Sequence, residues 1–302
     1  MTASSGIVGL VGLGLVGSAL GQRLLGAGFE VLGYDIDPAR LRAFAAVGGR
    51  AAASLAEIGG RCERAVLALY DTTTVEEVLE ADDGILAGRP RTTLVVDCGT
   101  GDPDRLELLA ARLAARGAAL VEAPLSGSSA QIAAGEGLCL AAGERAAVER
   151  ASDLLAAIAP RRHYVGAAGM GARAKLATNL VLGLNRAALA EGLVFAETIG
   201  LDGRTFVDLL RDSPAYSRAI DAKGEKMLAG DFVPEARLRQ HAKDVGLMLD
   251  QAAARGRVLP MTRAHARVLD DAIAAGDGEL DNSAVIMQIR RYRSHTARSS
   301  RG

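Results

Sequence analysis

The chain has little cysteine, almost no excess charge and no clean apolar run. Its three cysteines, Cys62, Cys98 and Cys139, are odd in number and far apart, with no CxxC pair and no histidines at metal-ligand spacing. That excludes a disulfide framework and a zinc site, predicts no metal, and fits a reducing cytoplasm. With 35 basic and 36 acidic residues the net charge is -1, so nothing in the balance calls for nucleic acid or an anionic membrane. No stretch reads as a membrane span, because the glycine-rich N-terminal run is broken by Gln22 and Arg23 and closes on an acid. The same run lacks the basic leader of a signal peptide. Arginines do gather in RRYRSHTARSSRG at the end, which reads as a solvated, partly disordered tail. What remains is 302 residues, 49% hydrophobic and 24% charged, enough for a large core and two domains.

Glycine is plentiful, and its placement is informative. In GLVGLGLVGSALGQRLLGAGFEVLGYDID, residues 9 to 37, the apolar run from Ile7 to Val11 suits a buried strand. Gly12, Gly14 and Gly17 then make the spacing GxGxxG, with Leu13, Leu15 and Val16 between them. That spacing permits a tight turn, close approach of the backbone to a phosphate, and packing of the next helix on the strand. A helix from about Leu15 to Ala27 would aim its N-terminal amides at the phosphate. FEVLGYD reads as a second strand ending in Asp35, 18 residues past Gly17, near the distance at which a carboxylate accepts both hydroxyls of an adenine ribose. Asp37 followed by Pro38 is a helix cap, which leaves Asp35 free for the ribose. The pattern predicts a dinucleotide, and a carboxylate at 35 favours NAD over NADP.

Further strands are expected at RAVLALY (64 to 70), TLVVDCG (93 to 99), ALVEAP (119 to 124), LCLAAG (138 to 143) and RHYVG (162 to 166), with helices over 74 to 80 and 103 to 116. The second of these helices opens on an Asp102 cap and Pro103. Such alternation predicts a parallel, doubly wound sheet with ligands beyond the carboxyl ends of its strands. After Gly166 the pattern is helical, broken near DSPAYS, GDFVPE and AAGDGELDN, so a domain boundary is expected near 165 to 168.

The helix opening the second half carries an anomaly. It is apolar over two faces, yet Lys175, Asn179 and Arg186 share one stripe, four and seven residues apart. A buried lysine is costly unless paired or used. Two readings stay open: Lys175 and Asn179 reach solvent at a domain edge, or they are a proton donor and its hydrogen-bonding neighbour aimed at an interdomain cleft.

At these residues the chain resembles the β-hydroxyacid dehydrogenase family, which includes 3-hydroxyisobutyrate dehydrogenase, tartronate semialdehyde reductase and glyoxylate/succinic semialdehyde reductases. Four separated motifs carry the resemblance over nearly the whole chain. They are GLGLVG, with Val16 where methionine is commoner; EAPLSGSSAQIAAGEG, where Glu122 replaces an aspartate and Ser128 a glycine; GAAGMGARAKLATN; and KDVGLMLD. In CGT, Gly99 precedes Thr100 where the family usually has serine.

The resemblance implies an α/β protein, with an N-terminal doubly wound Rossmann domain binding NAD (1 to 166) followed by an all-helical domain (167 to 302) similar to that of 6-phosphogluconate dehydrogenase. It implies an NAD(P)-dependent oxidoreductase that interconverts a small β-hydroxy acid and its semialdehyde. Lys175 would be the general acid or base, and Asn179 would hold substrate and lysine in register. Ser126, Gly127 and Ser128 would bind the substrate carboxylate, a plain glycine-serine turn being the alternative. Gly12 to Gly17, Asp35, Leu69, Tyr70, Thr100 and Lys243 would hold the cofactor, Lys243 with Asp244 closing over it unless it belongs to a solvated helix face. The family commonly pairs through the helical half, so a homodimer or homotetramer is expected. The stretch from Ser213 to Asp244 looks more like the tartronate semialdehyde reductases, with Ala236 where relatives often carry an aromatic. The rivals are an imine reductase, a class that generally lacks the lysine, and a non-catalytic dinucleotide sensor.

Overall fold

The computed structural model describes residues 6–293, so most of the basic C-terminal run lies outside the described residues. The first half alternates strand and helix: β1 (Val8–Val11), α1 (Leu15–Gly26), β2 (Val31–Tyr34), α2 (Pro38–Ala46), β3 (Arg50–Ala51), α3 (Leu55–Arg61), β4 (Arg64–Leu67), α4 (Thr72–Glu80), β5 (Leu94–Asp97), α5 (Pro103–Ala115) and β6 (Ala119–Glu122). Then come β7 (Leu125–Ser126), α6 (Ser129–Ala133), β8 (Leu138–Gly143), α7 (Arg145–Arg150), α8 (Ser152–Ile158) and β9 (Arg161–Gly166). The remainder is helical: α9 (Met170–Thr198), α10 (Gly203–Arg211), α11 (Arg218–Ala229), α12 (Leu238–Ala254), α13 (Pro260–Ala274) and α14 (Val285–Arg291), with two short 3-10 turns before the last.

The strands lie in the order β3-β2-β1-β4-β5-β6-β8-β7, with β9 beside β8. From β3 to β6 every pairing is parallel, and this core of the sheet is the doubly wound arrangement. The expected parallel, doubly wound sheet is present from β3 to β6, and at the far edge β8 runs antiparallel to both β6 and β7. The cause is the connection. A parallel return usually runs through a crossover helix that spans the sheet, and between Glu122 and Leu138 the one helix is the five-residue α6, too short for that. The thirteen-residue α5 provides such a crossover from β5 to β6.

Both faces of the parallel strands are buried, as their unbroken apolar text requires. Val8 and Leu10 of β1, Val66 of β4 and Val96 of β5 enter one core with Leu20 and Leu24 of α1. The alternate residues Val11, Leu67 and Val95 enter a second core with Ile58, Leu106 and Leu109. Full burial of each such leucine contributes about 1.5–3 kcal/mol. Caps fix the helix starts where the short polar residues predict: Asp37 accepts from the amide of Ala39 at 2.8 Å, and Asp102 accepts from Asp104 at 2.9 Å.

The chain divides into two compact units, the first ending at Leu176 and the second beginning at Ala177. The last strand ends at Gly166, and the division falls within the 29-residue α9. By length and composition α9 could cross a membrane, a possibility the broken apolar text did not suggest. It buries Lys175, Asn179 and Arg186 beside Leu189 and Leu193 on one side, while Val181, Leu182 and Phe195 are exposed on the other.

Candidate active site

β1 delivers the chain into the glycine turn. Gly12 has φ +86°, a left-handed conformation that favours glycine, and a Cβ there would lie 2.4 Å from the carbonyl oxygen of Ala68. A Cβ at Gly17 would lie 1.8 Å from the carbonyl oxygen of Gly12, so the third glycine lets α1 sit directly on the turn. At Gly14, the residue before α1, a Cβ would meet nothing closer than Arg40 Nη1 at 3.9 Å, which leaves this stretch of backbone open. Leu13 is buried and Leu15 and Val16 are half-buried. α1 starts with no side-chain cap and no acid in its first turn, so its first amides and positive dipole end suit an anion from outside the chain.

Asp35 closes this loop, but not as a free carboxylate. It is buried; its Oδ2 accepts from the Leu13 amide at 2.7 Å, and its Oδ1 accepts from the Asp37 amide at 2.9 Å. Arg40 Nη1 stands 3.3 Å from Oδ2. A buried carboxylate needs donors, and the end of β2 beside the turn supplies them. Ile36, next in the chain, is 90% exposed. In the sequence it is marked only by its position between two acids.

The pairing of β4 and β5 stops at Leu67 and Asp97, short of the expected strand ends. Leu69, Tyr70 and Thr100 therefore lie in the loops beyond, where open α/β sheets bind ligands. A Cβ at Gly12 would approach Leu69 Cδ2 to 3.2 Å, and one at Gly99 would approach the Leu69 carbonyl oxygen to 3.1 Å. Gly12, Leu69 and the Gly99–Thr100 turn are thus neighbours at the carboxyl end of the central strands β1, β4 and β5, and Tyr70, next in the chain to Leu69, is 44% exposed.

The loop after β6 starts from Glu122. Gly127 has φ +146°, and Ser126 is half-buried. Ser128 is the cap of α6: its amide donates to Gln131 Oε1 at 2.9 Å and its Oγ accepts from the Gln131 amide at 3.3 Å. The expectation that Ser128 offers its amide to a ligand is corrected accordingly, and its hydroxyl proton is what remains for donation.

Lys175 sits in the second turn of α9, 7% exposed, and Asn179, one turn on, is 8% exposed. Burial overturns the reading in which both reach solvent. The start of α9 is held by Glu122, whose carboxylate accepts from the amides of Gly169 and, at 2.8 Å, Ala172. Burial pushes the Glu122 carboxyl up to about 7, the two amides pull it back, neighbouring Asp97 pushes it up and Arg173 draws it down.

In the second unit Asn179 Nδ2 donates to Asp244 Oδ2 at 3.1 Å, and Lys243 Nζ lies 3.1 Å from Asp244 Oδ1. Asn179, Lys243 and Asp244 are thereby brought together, and Lys243, with 15% of its side chain exposed, does not belong to a solvated face. Further along α9, Arg186 is buried and its Nε lacks a hydrogen-bond partner among the described residues; burial draws it down to about 10. His241 and His265 face each other through their Nε2 atoms at 3.0 Å.

Two families match the chain: the NAD binding domain of 6-phosphogluconate dehydrogenase over residues 7–166, and the NAD-binding region of NADP-dependent 3-hydroxyisobutyrate dehydrogenase over residues 169–289. An L-threonate dehydrogenase of Cupriavidus necator is 35% identical, over 92% of this chain and 94% of that protein. A 2-(hydroxymethyl)glutarate dehydrogenase of Eubacterium barkeri is 30% identical, over 92% of this chain and 93% of that protein. The crystal structure of a 3-hydroxyisobutyrate dehydrogenase from Salmonella typhimurium superposes with TM-score 0.84 at 28% identity, over 94% of this chain and 99% of that one. The glycine turn, the uncapped start of α1 and Asp35 fit the nicotinamide dinucleotide that the first match implies. With both halves matched, in order and nearly end to end, the chain belongs to the β-hydroxyacid dehydrogenase family, the NAD(P)-dependent oxidoreductases of hydroxy acids.

Proposed function

We propose that the chain interconverts a small β-hydroxy acid and its semialdehyde, with Lys175 as the general acid or base. The observation that carries this reading is Lys175 itself, a lysine buried on a helix whose first turn is anchored by a buried carboxylate. The nicotinamide, when bound, supplies the hydride acceptor or donor. Lys175 takes the hydroxyl proton in oxidation and returns it to the carbonyl oxygen in reduction. Asn179, one turn further along α9, keeps the reacting oxygen in register with it. The Ser126 hydroxyl, the Gly127 backbone and the Ser128 hydroxyl hold the substrate carboxylate, and Lys243 with Asp244 closes over the cofactor.

NAD is the preferred cofactor in this reading, because a 2′-phosphate would meet the Asp35 carboxylate. We assign residues 1–166 to the cofactor and 167–302 to substrate and to self-association as a homodimer or homotetramer. Exposed Val181, Leu182 and Phe195 on α9 support that association. Three buried free cysteines fit a reducing cytoplasm.

The test is a spectrophotometric screen of wild type and Lys175→Ala with NAD and 3-hydroxyisobutyrate, glycerate, threonate and serine, and in reverse with tartronate semialdehyde. Turnover that falls by about two orders of magnitude or more in the variant, the weight of a general acid or base, supports the proposal and names the substrate branch. Cofactor binding without turnover on any of them moves the reading to an imine substrate or a non-catalytic sensor.

A further inference from the structure

The most consequential buried group outside the assigned machinery is Glu122. It ends β6, is 1% exposed, and sits four residues before Ser126 in the substrate loop. Its two oxygens divide between two amides of a helix start far along the chain: Gly169, the residue before α9, and Ala172 in the first turn, 47 and 50 residues away. These are amides that a helix cannot satisfy internally. Gly171, between them, makes room, since a Cβ there would lie 2.8 Å from Glu122 Cβ and 3.0 Å from its Oε2. Lys175 follows Ala172 by three residues, less than one turn.

We propose that Glu122 is a positioning residue: by clamping the first turn of α9 to the end of β6 it fixes Lys175 relative to the loop that carries Ser126. The inference rests on the assignment of Lys175 as acid or base. A neutral side chain of the same shape keeps one acceptor and turns an N–H toward the other amide, so the turn loses half its anchor without leaving a cavity. The charged groups facing Glu122 are Asp97, its register partner on β5, and Arg173 on α9, itself paired with Asp104 and Glu107 at 2.8 and 3.0 Å. The carboxyl, raised to about 7 mainly by burial, passes between its one-acceptor and two-acceptor forms in the range where the reaction would be measured.

The experiment compares wild type, Glu122→Gln and Glu122→Asp across pH 5.5 to 9, reading kcat, the KM values for NAD and hydroxy acid, melting temperature, and the rate at which acetic anhydride acetylates Lys175, releasing acetate. The last is followed by peptide mass spectrometry. Misplacement of a reacting group by a fraction of an ångström to one ångström is expected to lower kcat in Glu122→Gln about tenfold or more at pH 8.5. KM for NAD stays within about twofold, wild type and variant converge below pH 6, and Glu122→Asp regains part of the acid limb of the profile. The Lys175 labelling rate changes by about threefold or more in Glu122→Gln, a shift read without any substrate. An unchanged kcat profile with an unchanged labelling rate overturns the proposal, as does a loss of kcat that only tracks a lower melting temperature. If wild type turns over no hydroxy acid, the functional reading fails, while the labelling comparison still decides the clamp.

Discussion

The side chains of Asn179 and Asp244 are joined by a 3.1 Å hydrogen bond between Nδ2 and Oδ2, both residues buried. The bond ties α9 to α12 inside the second unit and sets the amide's orientation. Replacing Asn179 by aspartate puts a second carboxylate against the first. Like charges at that distance cannot both ionise without cost, so Asn179→Asp is expected to lose stability progressively as pH rises above about 5. Melting temperature measured from pH 5 to 8 checks this; a profile parallel to wild type would mean that the two groups move apart.

Lys175→Arg separates charge from proton transfer. Arginine keeps the cation and enough length to remain near the site, but it does not give up its proton in proteins. If Lys175 works by exchanging a proton, the arginine variant loses about as much kcat as alanine, on the order of a hundredfold. Recovery of most of the rate by arginine would instead make Lys175 an electrostatic anchor.

Asp35 and Arg40 place opposite charges beside the glycine turn. The pair is half open to solvent on the arginine side, so it contributes at most about 1 kcal/mol to stability, and a substitution there is expected to act on cofactor choice more than on folding. Asp35→Ser removes the carboxylate and leaves the Arg40 guanidinium where a 2′-phosphate would be. The ratio of kcat/KM for NAD to that for NADP is expected to fall about tenfold or more, one charge-assisted contact being worth that much. An unchanged ratio would show that Asp35 does not read the ribose.

The glycine turn was legible because each of its glycines answers to a local constraint: a positive φ at Gly12, a backbone 1.8 Å from a Cβ at Gly17. The Asp37 and Asp102 caps were equally local. What periodicity does not carry is strand direction, so the antiparallel β8 followed from the shortness of α6 and was missed. Two-residue strands such as β3 are too short to show any period. Ser-x-x-Gln is a capping pattern in its own right, and it engages the Ser128 amide while leaving the hydroxyl proton for a ligand. The clamp by Glu122 was out of reach for a different reason: its partners lie 47 and 50 residues away, and only the folded sheet brings them to it.

Two buried titrating groups pull the stability of this protein in opposite directions with pH. Glu122 has its folded pKa raised, from 4.5 to about 7. Its stabilisation is therefore complete below pH 4.5 and is lost as pH rises through 7, by about 3 kcal/mol at most. His265 has its folded pKa lowered, from 6.5 to about 4, by burial first and by Arg186 second. Its stabilisation is complete above pH 6.5 and is lost as pH falls through 4, by a similar amount. Urea midpoints at pH 5 and pH 8 separate the two: Glu122→Gln gains on wild type from pH 5 to pH 8, because it removes a carboxyl that resists ionising in place. His265→Gln gains on wild type in the reverse direction, because it removes a ring that must charge on unfolding. If Glu122→Gln is at least as stable as wild type at pH 8 and yet slower, the loss of rate belongs to the position of Lys175 and not to the folding of the sheet around β6.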